Sequence, residues 1–154
     1  MDLNDEVAKC KKNGWLDVWM AFETVAINKE TVENALKIHI EKIGKSKNKD
    51  VILYEKNIGE NLIVKEVPDH IKKKMPENAE LWSQVANVKI VVKDMFSLMN
   101  IIIVYGPSAV EIHGPNSRTM KLDEMQNVAN LIAGLLHDFA SAGVGGVVIS
   151  SERG

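Results

Sequence analysis

Charge is spread unevenly along this chain. Residues 1–94 hold 32 of its Asp, Glu, Lys and Arg residues, whereas residues 95–151 hold six: Glu111, Arg118, Lys121, Asp123, Glu124 and Asp138. A segment so poor in ionised groups cannot be wetted on all sides, because apolar side chains gain free energy by leaving water. It must fold against something, either the rest of its own domain or another chain. The remaining composition is ordinary: 154 residues, 45% hydrophobic, 26% charged and a formal net charge of −2. Those values exclude collagen-like, disordered and disulfide-stapled classes. The near balance of charge argues against a dedicated nucleic-acid binder, which carries a basic excess. No Pro/Gly/Ser-rich linker divides the chain, so residues 1–154 read as a single domain.

The only cysteine, Cys10, has no second thiol with which to form a disulfide or a metal pair, and reads as a reduced intracellular thiol. The N-terminal segment carries early acids and no apolar h-region, so no secretory signal is expected. Leu131 to Ser150 is weakly charged, but His137, Asp138 and four glycines break it, and it is a poor membrane span. A cytoplasmic, non-membrane protein is expected.

Local patterns outline the elements. A short helix over 4–12 has Asn4 as its expected N-cap and Gly14 as its stop. Trp15–Ile27 alternates, with Leu16, Val18, Met20 and Phe22 on one face and Asp17 and Glu23 on the other, which predicts a strand. Asn28 caps a helix over 29–43 whose stripe is Val32, Ala35, Leu36, His39 and Ile43. Val51–Glu55 and Leu62–Val67 flank Asn57-Ile-Gly-Glu60 and read as a hairpin. Residues 69–82 hold a helical turn or two. Ser83–Val92 reads as a strand, with Val85, Val88, Ile90 and Val92 offered to a core. Asp94 caps a helix to about Val104, with Met95, Leu98, Met99 and Ile102 on one stripe. Ala109–His113 is a short strand between two Gly-Pro stops. Asp123 and Gln126 form an expected capping box for a helix to about Ala142, whose core stripe is Met125, Val128, Ile132, Leu135, Leu136 and Phe139. Gly143-Val-Gly-Gly146 is a turn and Val147–Ile149 a last strand. Strands interleaved with helices in this order predict an α+β fold: a mainly antiparallel sheet with helices on one face, in a ferredoxin-like split βαβ arrangement.

Few residues point to chemistry. Glu111 and His113, two apart on a strand, share a face and could hold a divalent metal or act as an acid–base pair, with His137 as a further metal candidate. No HExxH or second close histidine completes a ligand set, and an exposed polar strand face explains the pair without chemistry. Gly106-Pro107-Ser108 and Gly114-Pro115-Asn116-Ser117-Arg118 bracket that strand, where backbone amides, Ser117 and Arg118 could hold an anionic group. His39, in the middle of an apolar stripe, reads as a hydrogen-bonded core histidine rather than a ligand. Gly143-Val-Gly-Gly146 lacks the strand–GxGxxG–helix context of a dinucleotide site, and no cofactor is expected. The lysines of 42–49 and 72–74 have no interleaved aromatic residue and read as solvated loops.

On the last helix, the face away from the apolar stripe carries Asn127, Asn130, Ala133, Gly134, His137 and Ser141. Helices that face water normally present Lys and Glu there. Small uncharged side chains in these places predict a subunit interface, and hence a homo-oligomer, most simply a dimer.

Ile103-Val-Tyr-Gly-Pro-Ser-Ala-Val-Glu-Ile-His-Gly-Pro115 and Glu124-Met-Gln-Asn-Val-Ala-Asn130 resemble a family of small archaeal proteins with a Tyr-Gly-Pro-Ser-x-x-Glu-Ile signature, over most of the chain from Trp15 onward. The resemblance implies no activity and no catalytic residue. It directs attention to Tyr105, Gly106, Pro107, Ser108, Glu111 and Pro115. The leading expectation is a self-associating, non-enzymatic domain that binds a small molecule or partner at Tyr105–Ser108, Glu111, His113, Ser117 and Arg118. A metal-assisted enzyme using Glu111 and His113 is the alternative, and an RNA-binding accessory protein acting through the lysine loops is a third.

Overall fold

The computed structural model describes residues 2–45 and 49–143. Its elements follow in the order α1 (Leu3–Lys12), β1 (Leu16–Ala26), α2 (Lys29–Gly44), β2 (Val51–Ile58), β3 (Leu62–Ile63), α3 (Asp69–Lys72), β4 (Trp82–Val92), α4 (Met95–Tyr105), β5 (Ala109–Gly114) and α5 (Leu122–Ser141). They fall into two compact units, Met1–Arg118 and Thr119–Gly154. The expected turn beyond Gly143 and the strand Val147–Ile149 lie outside the described residues, as does Lys47 of the lysine loop.

The first unit is built on an antiparallel sheet in the order β2-β4-β1-β5, with the short β3 also on β4. β1 and β4 pair along their whole length, from Leu16↔Val92 to Ala26↔Trp82. β5 takes the other edge of β1, ending at Ala21↔Ala109. Each helical crossover skips a strand: β4 lies between β1 and β2, which α2 joins, and β1 lies between β4 and β5, which α4 joins. Two split βαβ units are therefore interleaved.

Directly opposed residues of an antiparallel pair share a face. Leu16, Val18, Met20 and Phe22 accordingly stand beside Val92, Ile90, Val88 and Ala86, and Leu36, Ile40 and Ile43 of α2 with Leu98 and Ile101 of α4 close over them as one core. Full burial of a side chain such as Leu36 contributes about 1.5–3 kcal/mol relative to leaving it exposed. Val85 is not part of this core: it has the opposite parity and is 45% exposed, its expected place being filled by Ala86. On α2 the stripe includes Ile40, while Ala35 is exposed.

α2 and α4 occupy one face, as the one-sided layer expects. α1 goes to the other face. Its Lys11 ammonium lies 3.2 Å from the Asp17 carboxylate and over the Tyr54 ring, and the Tyr54 hydroxyl donates to Asp17. Val7 of α1 is buried, and so are Ala21 and Val91 on that face of the sheet.

Three local expectations are corrected. β2 and β3 do not form a hairpin: both run along β4, Ile58 opposite Ala86 and Leu62 opposite Ser83, as one interrupted edge strand. The interruption is held by the Gly59 N–H donating to Val85 O at 2.9 Å and by the Gln84 side-chain amide donating to Gly59 O at 2.8 Å. The N-cap of α1 is Asp2 rather than Asn4, its carboxylate accepting the Asp5 N–H. α5 begins at Leu122, so Asp123 lies in the first turn, where a negative charge suits the helix dipole, rather than at the cap.

α5, the described helix of the second unit, has no buried residue. Of its apolar stripe, Met125 is 46% exposed and Ile132 and Phe139 40% each, while Val128, Leu135 and Leu136 are part-buried. That differs from the core role expected of the stripe. Within the sequence window of one helix the pattern shows which face is apolar, but not what covers it.

Candidate functional site

The segment Tyr105-Gly106-Pro107-Ser108 closes α4 and leads into β5, and each of its residues has a defined task. Gly106 takes φ +59, a left-handed C-cap conformation that a residue with Cβ adopts only with strain, and its N–H donates to Ile102 O at 2.9 Å. Pro107 has no N–H and cannot cap Ile103. Ser108 pins the loop to β1, its N–H and its hydroxyl both donating to Ala21 O, at 2.8 and 3.2 Å. The Tyr105 carbonyl accepts from His39 Nε2 of α2 at 2.7 Å.

That last contact assigns the imidazole. A carbonyl can only accept, so Nε2 carries the hydrogen and, in the neutral ring, Nδ1 is left as an acceptor. The ring is wedged edge-on between Phe22, with centroids 5.1 Å apart, and Tyr105, at 5.5 Å. Beside it is a cavity of about 260 Å³, lined by Phe22, Glu23 and Thr24 of β1, Ala35 and His39 of α2, and Tyr105 and Gly106. This is just below the usual ~300–1,000 Å³ of small-molecule sites.

Of the ligand-binding candidates singled out in sequence, the structure brings Tyr105 and Gly106 to this cavity, while Pro107 and Ser108 are not among its lining residues. It also brings Glu111 and His113 together, His113 Nε2 lying 3.3 Å from Glu111 Oε1 with both side chains exposed. Glu111 stands opposite Trp19, however, on the sheet face away from α2 and α4, and so apart from His39. Ser117 is exposed and Arg118 partly buried, beyond the cis Gly114–Pro115 bond. Asn127, Asn130, Ala133, Gly134, His137 and Ser141 are all exposed on α5. Among the described residues, no group of three or more His, Cys, Asp or Glu side chains stands close enough to hold a metal ion. None of the described helices is long and apolar enough to cross a membrane.

Sequence reasoning missed Phe22, Glu23, Thr24 and Ala35 as cavity walls. Nothing local marks them. They reach the site because β1 and α2 are folded against a helix end far along the chain. The reading of His39 as a hydrogen-bonded, partly buried histidine agrees with its geometry.

The MJ0538 family model matches residues 17–152, in keeping with the small archaeal family that the Tyr-Gly-Pro-Ser segment resembles. No curated protein and no solved structure matches the chain.

Proposed function

We propose that this chain, which belongs to the MJ0538 family, is a self-associating, non-enzymatic binding domain of ferredoxin-like topology that acts in the cytoplasm, and that α5 joins two copies. The carrying observation is α5 itself, a twenty-residue helix with no buried residue, on whose apolar stripe Met125, Ile132 and Phe139 are exposed. Apolar surface of this kind marks an interaction face.

The opposite face points the same way. From Met125 to Ser141 the only full-time charge is Asp138, and Asn127, Asn130, Ala133, Gly134, His137 and Ser141 offer small or neutral side chains. A helix covered on one side alone would carry Lys and Glu on the other. A single partner surface can occupy only one side, so the second side is left for another copy. Self-complementary contact of one helix with its symmetry mate needs no other protein.

Light scattering on the full chain tests this. The expected mass is twice the 17.1 kDa of one chain, and Ala133→Glu combined with Ser141→Glu is expected to return it to the single value. A 17.1 kDa species across the accessible concentration range would overturn the proposal.

A further inference from the structure

Of the three helices laid on the sheet of the first unit, α1 is held the least. It buries Val7 alone, where α2 buries Val32, Leu36, Ile40 and Ile43, and α4 buries Ser97, Leu98 and Ile101. A helix of 10 residues is marginal in water by itself, so α1 stays helical by virtue of its seat. Segments with few buried contacts open before a core does. α1 also lies ahead of residues 17–152, the stretch that the family model matches.

The seat has a definite chemistry. α1 lies against β2 and β4, on the sheet face away from α2 and α4. In the row beneath it Ile52, Val91 and Asp17 stand side by side on β2, β4 and β1. Val91 is fully buried and Ile52 part-buried, so lifting α1 brings apolar surface into water. Beside them the Tyr54 hydroxyl donates to Asp17, and the Lys11 ammonium lies 3.2 Å from the same carboxylate and over the Tyr54 ring. Val7 and Lys11 are four positions apart and so share one face of the helix. The next row of the sheet is charged, Lys89 pairing with Glu55 and standing beside Trp19, with Glu111 beyond it. That row bounds the apolar pad.

We propose that this pad is an exchangeable helix-binding surface. α1 is the strap that closes it, and the partner it takes is an amphipathic helix with an aliphatic residue followed four positions later by lysine or arginine. The requirement is read from α1, the occupant the structure holds: the aliphatic anchor replaces Val7 over Val91 and Ile52, and the cation replaces Lys11 between Asp17 and Tyr54. Recognition of a helix through such anchors needs a groove with one charge and one apolar floor, and the pad has both. Because α1 is tethered beside its own seat it competes at a high effective concentration, so it holds the pad closed until a partner makes more contact than it does. The inference concerns the first unit alone and stands whether or not α5 joins two copies.

Two measurements on the full chain test this. In native-state hydrogen exchange of the parent protein, the amides of α1 are expected to exchange at least about a hundredfold faster than those of the paired β1 and β4. In amide NMR, Val7→Ser combined with Lys11→Ser is expected to unseat α1 and leave the sheet in place. A synthetic peptide of residues 1–13 is then expected to bind that variant saturably, with shifts at Ile52, Tyr54 and Val91, and at least about tenfold more tightly than it binds the parent protein. A helical peptide of unrelated sequence that keeps only an aliphatic residue and a lysine four positions later is expected to bind there too. With glutamate in place of that lysine, its binding is expected to weaken at least about tenfold. Equal protection of α1 and the sheet would overturn the proposal, and so would loss of the whole fold in the double variant. Failure of either peptide to bind the variant, or undiminished binding by the glutamate peptide, would do the same.

Discussion

At His39 one ring nitrogen ties the middle of α2 to the last carbonyl of α4. Replacing it with leucine keeps the apolar contacts to Phe22 and Tyr105 but leaves a part-buried carbonyl without its donor, which costs about 1–3 kcal/mol. His39→Leu is therefore expected to lower the melting temperature in calorimetry, and His39→Gln, which keeps a donor, to recover part of the loss. The stripe on α2 was enough to read this histidine as buried and hydrogen-bonded. Its partner, Tyr105, was not legible, because no local pattern connects two residues so far apart in the chain. Tyr54 gives a second test at this scale. Burial first, and then the hydrogen bond to Asp17, push its phenol above the ordinary value of 10.0. A raised folded-state pKa means that the protonated phenol favours the fold: the contribution is fully present below the unfolded value and is lost as pH rises through the folded one. Urea midpoints are expected to fall less between about pH 9 and pH 11 in Tyr54→Phe than in the parent protein.

Among the elements, caps were legible where one candidate stood alone. Asn28 accepts the N–H groups of Glu30 and Thr31, and Asp94 accepts that of Ser97, as their positions ahead of apolar stripes imply. At α1 the expected cap was Asn4, but the side chain that reaches a free N–H, that of Asp5, is Asp2. The interrupted edge strand was not legible. Asn57-Ile-Gly-Glu60 has turn composition, but Gly59 serves a different need: a Cβ there would lie 2.9 Å from the Val85 carbonyl oxygen. Gly59→Ala is expected to destabilise the first unit by about 1–3 kcal/mol, measured by urea unfolding. Gly134 offers the contrary case. A Cβ at Gly134 would meet nothing within 4 Å, so alanine there should stabilise the helix of a single chain by about 1 kcal/mol. If two copies meet across Ala133 and Gly134, the same change is expected instead to raise the dimer dissociation constant in analytical ultracentrifugation.

At the scale of the molecule, every hydrophobic residue of the buried core among the described residues lies between Val7 and Ile101. The first unit is thus equipped to fold on its own. A chain cut after Arg118 is expected to melt cooperatively, with the far-ultraviolet circular dichroism of an intact sheet, and to scatter light as a monomer because it lacks α5. An aggregated or non-cooperative fragment would show that the first unit depends on residues beyond Arg118.

The strands, the principal helices and the alternation that separates core from water follow from the sequence alone, because their causes are local: a period of two or of 3.6, a capping side chain, a Gly-Pro stop. The poverty of charge in the final third is equally local. What only the tertiary structure decided is which surfaces meet. It set the strand order, placed Val85 outside the core and α1 on the far face, and brought His39 to the Tyr105 carbonyl. Those outcomes depend on contacts between distant segments, each stabilised only once the others are in place, and no window of sequence contains both partners.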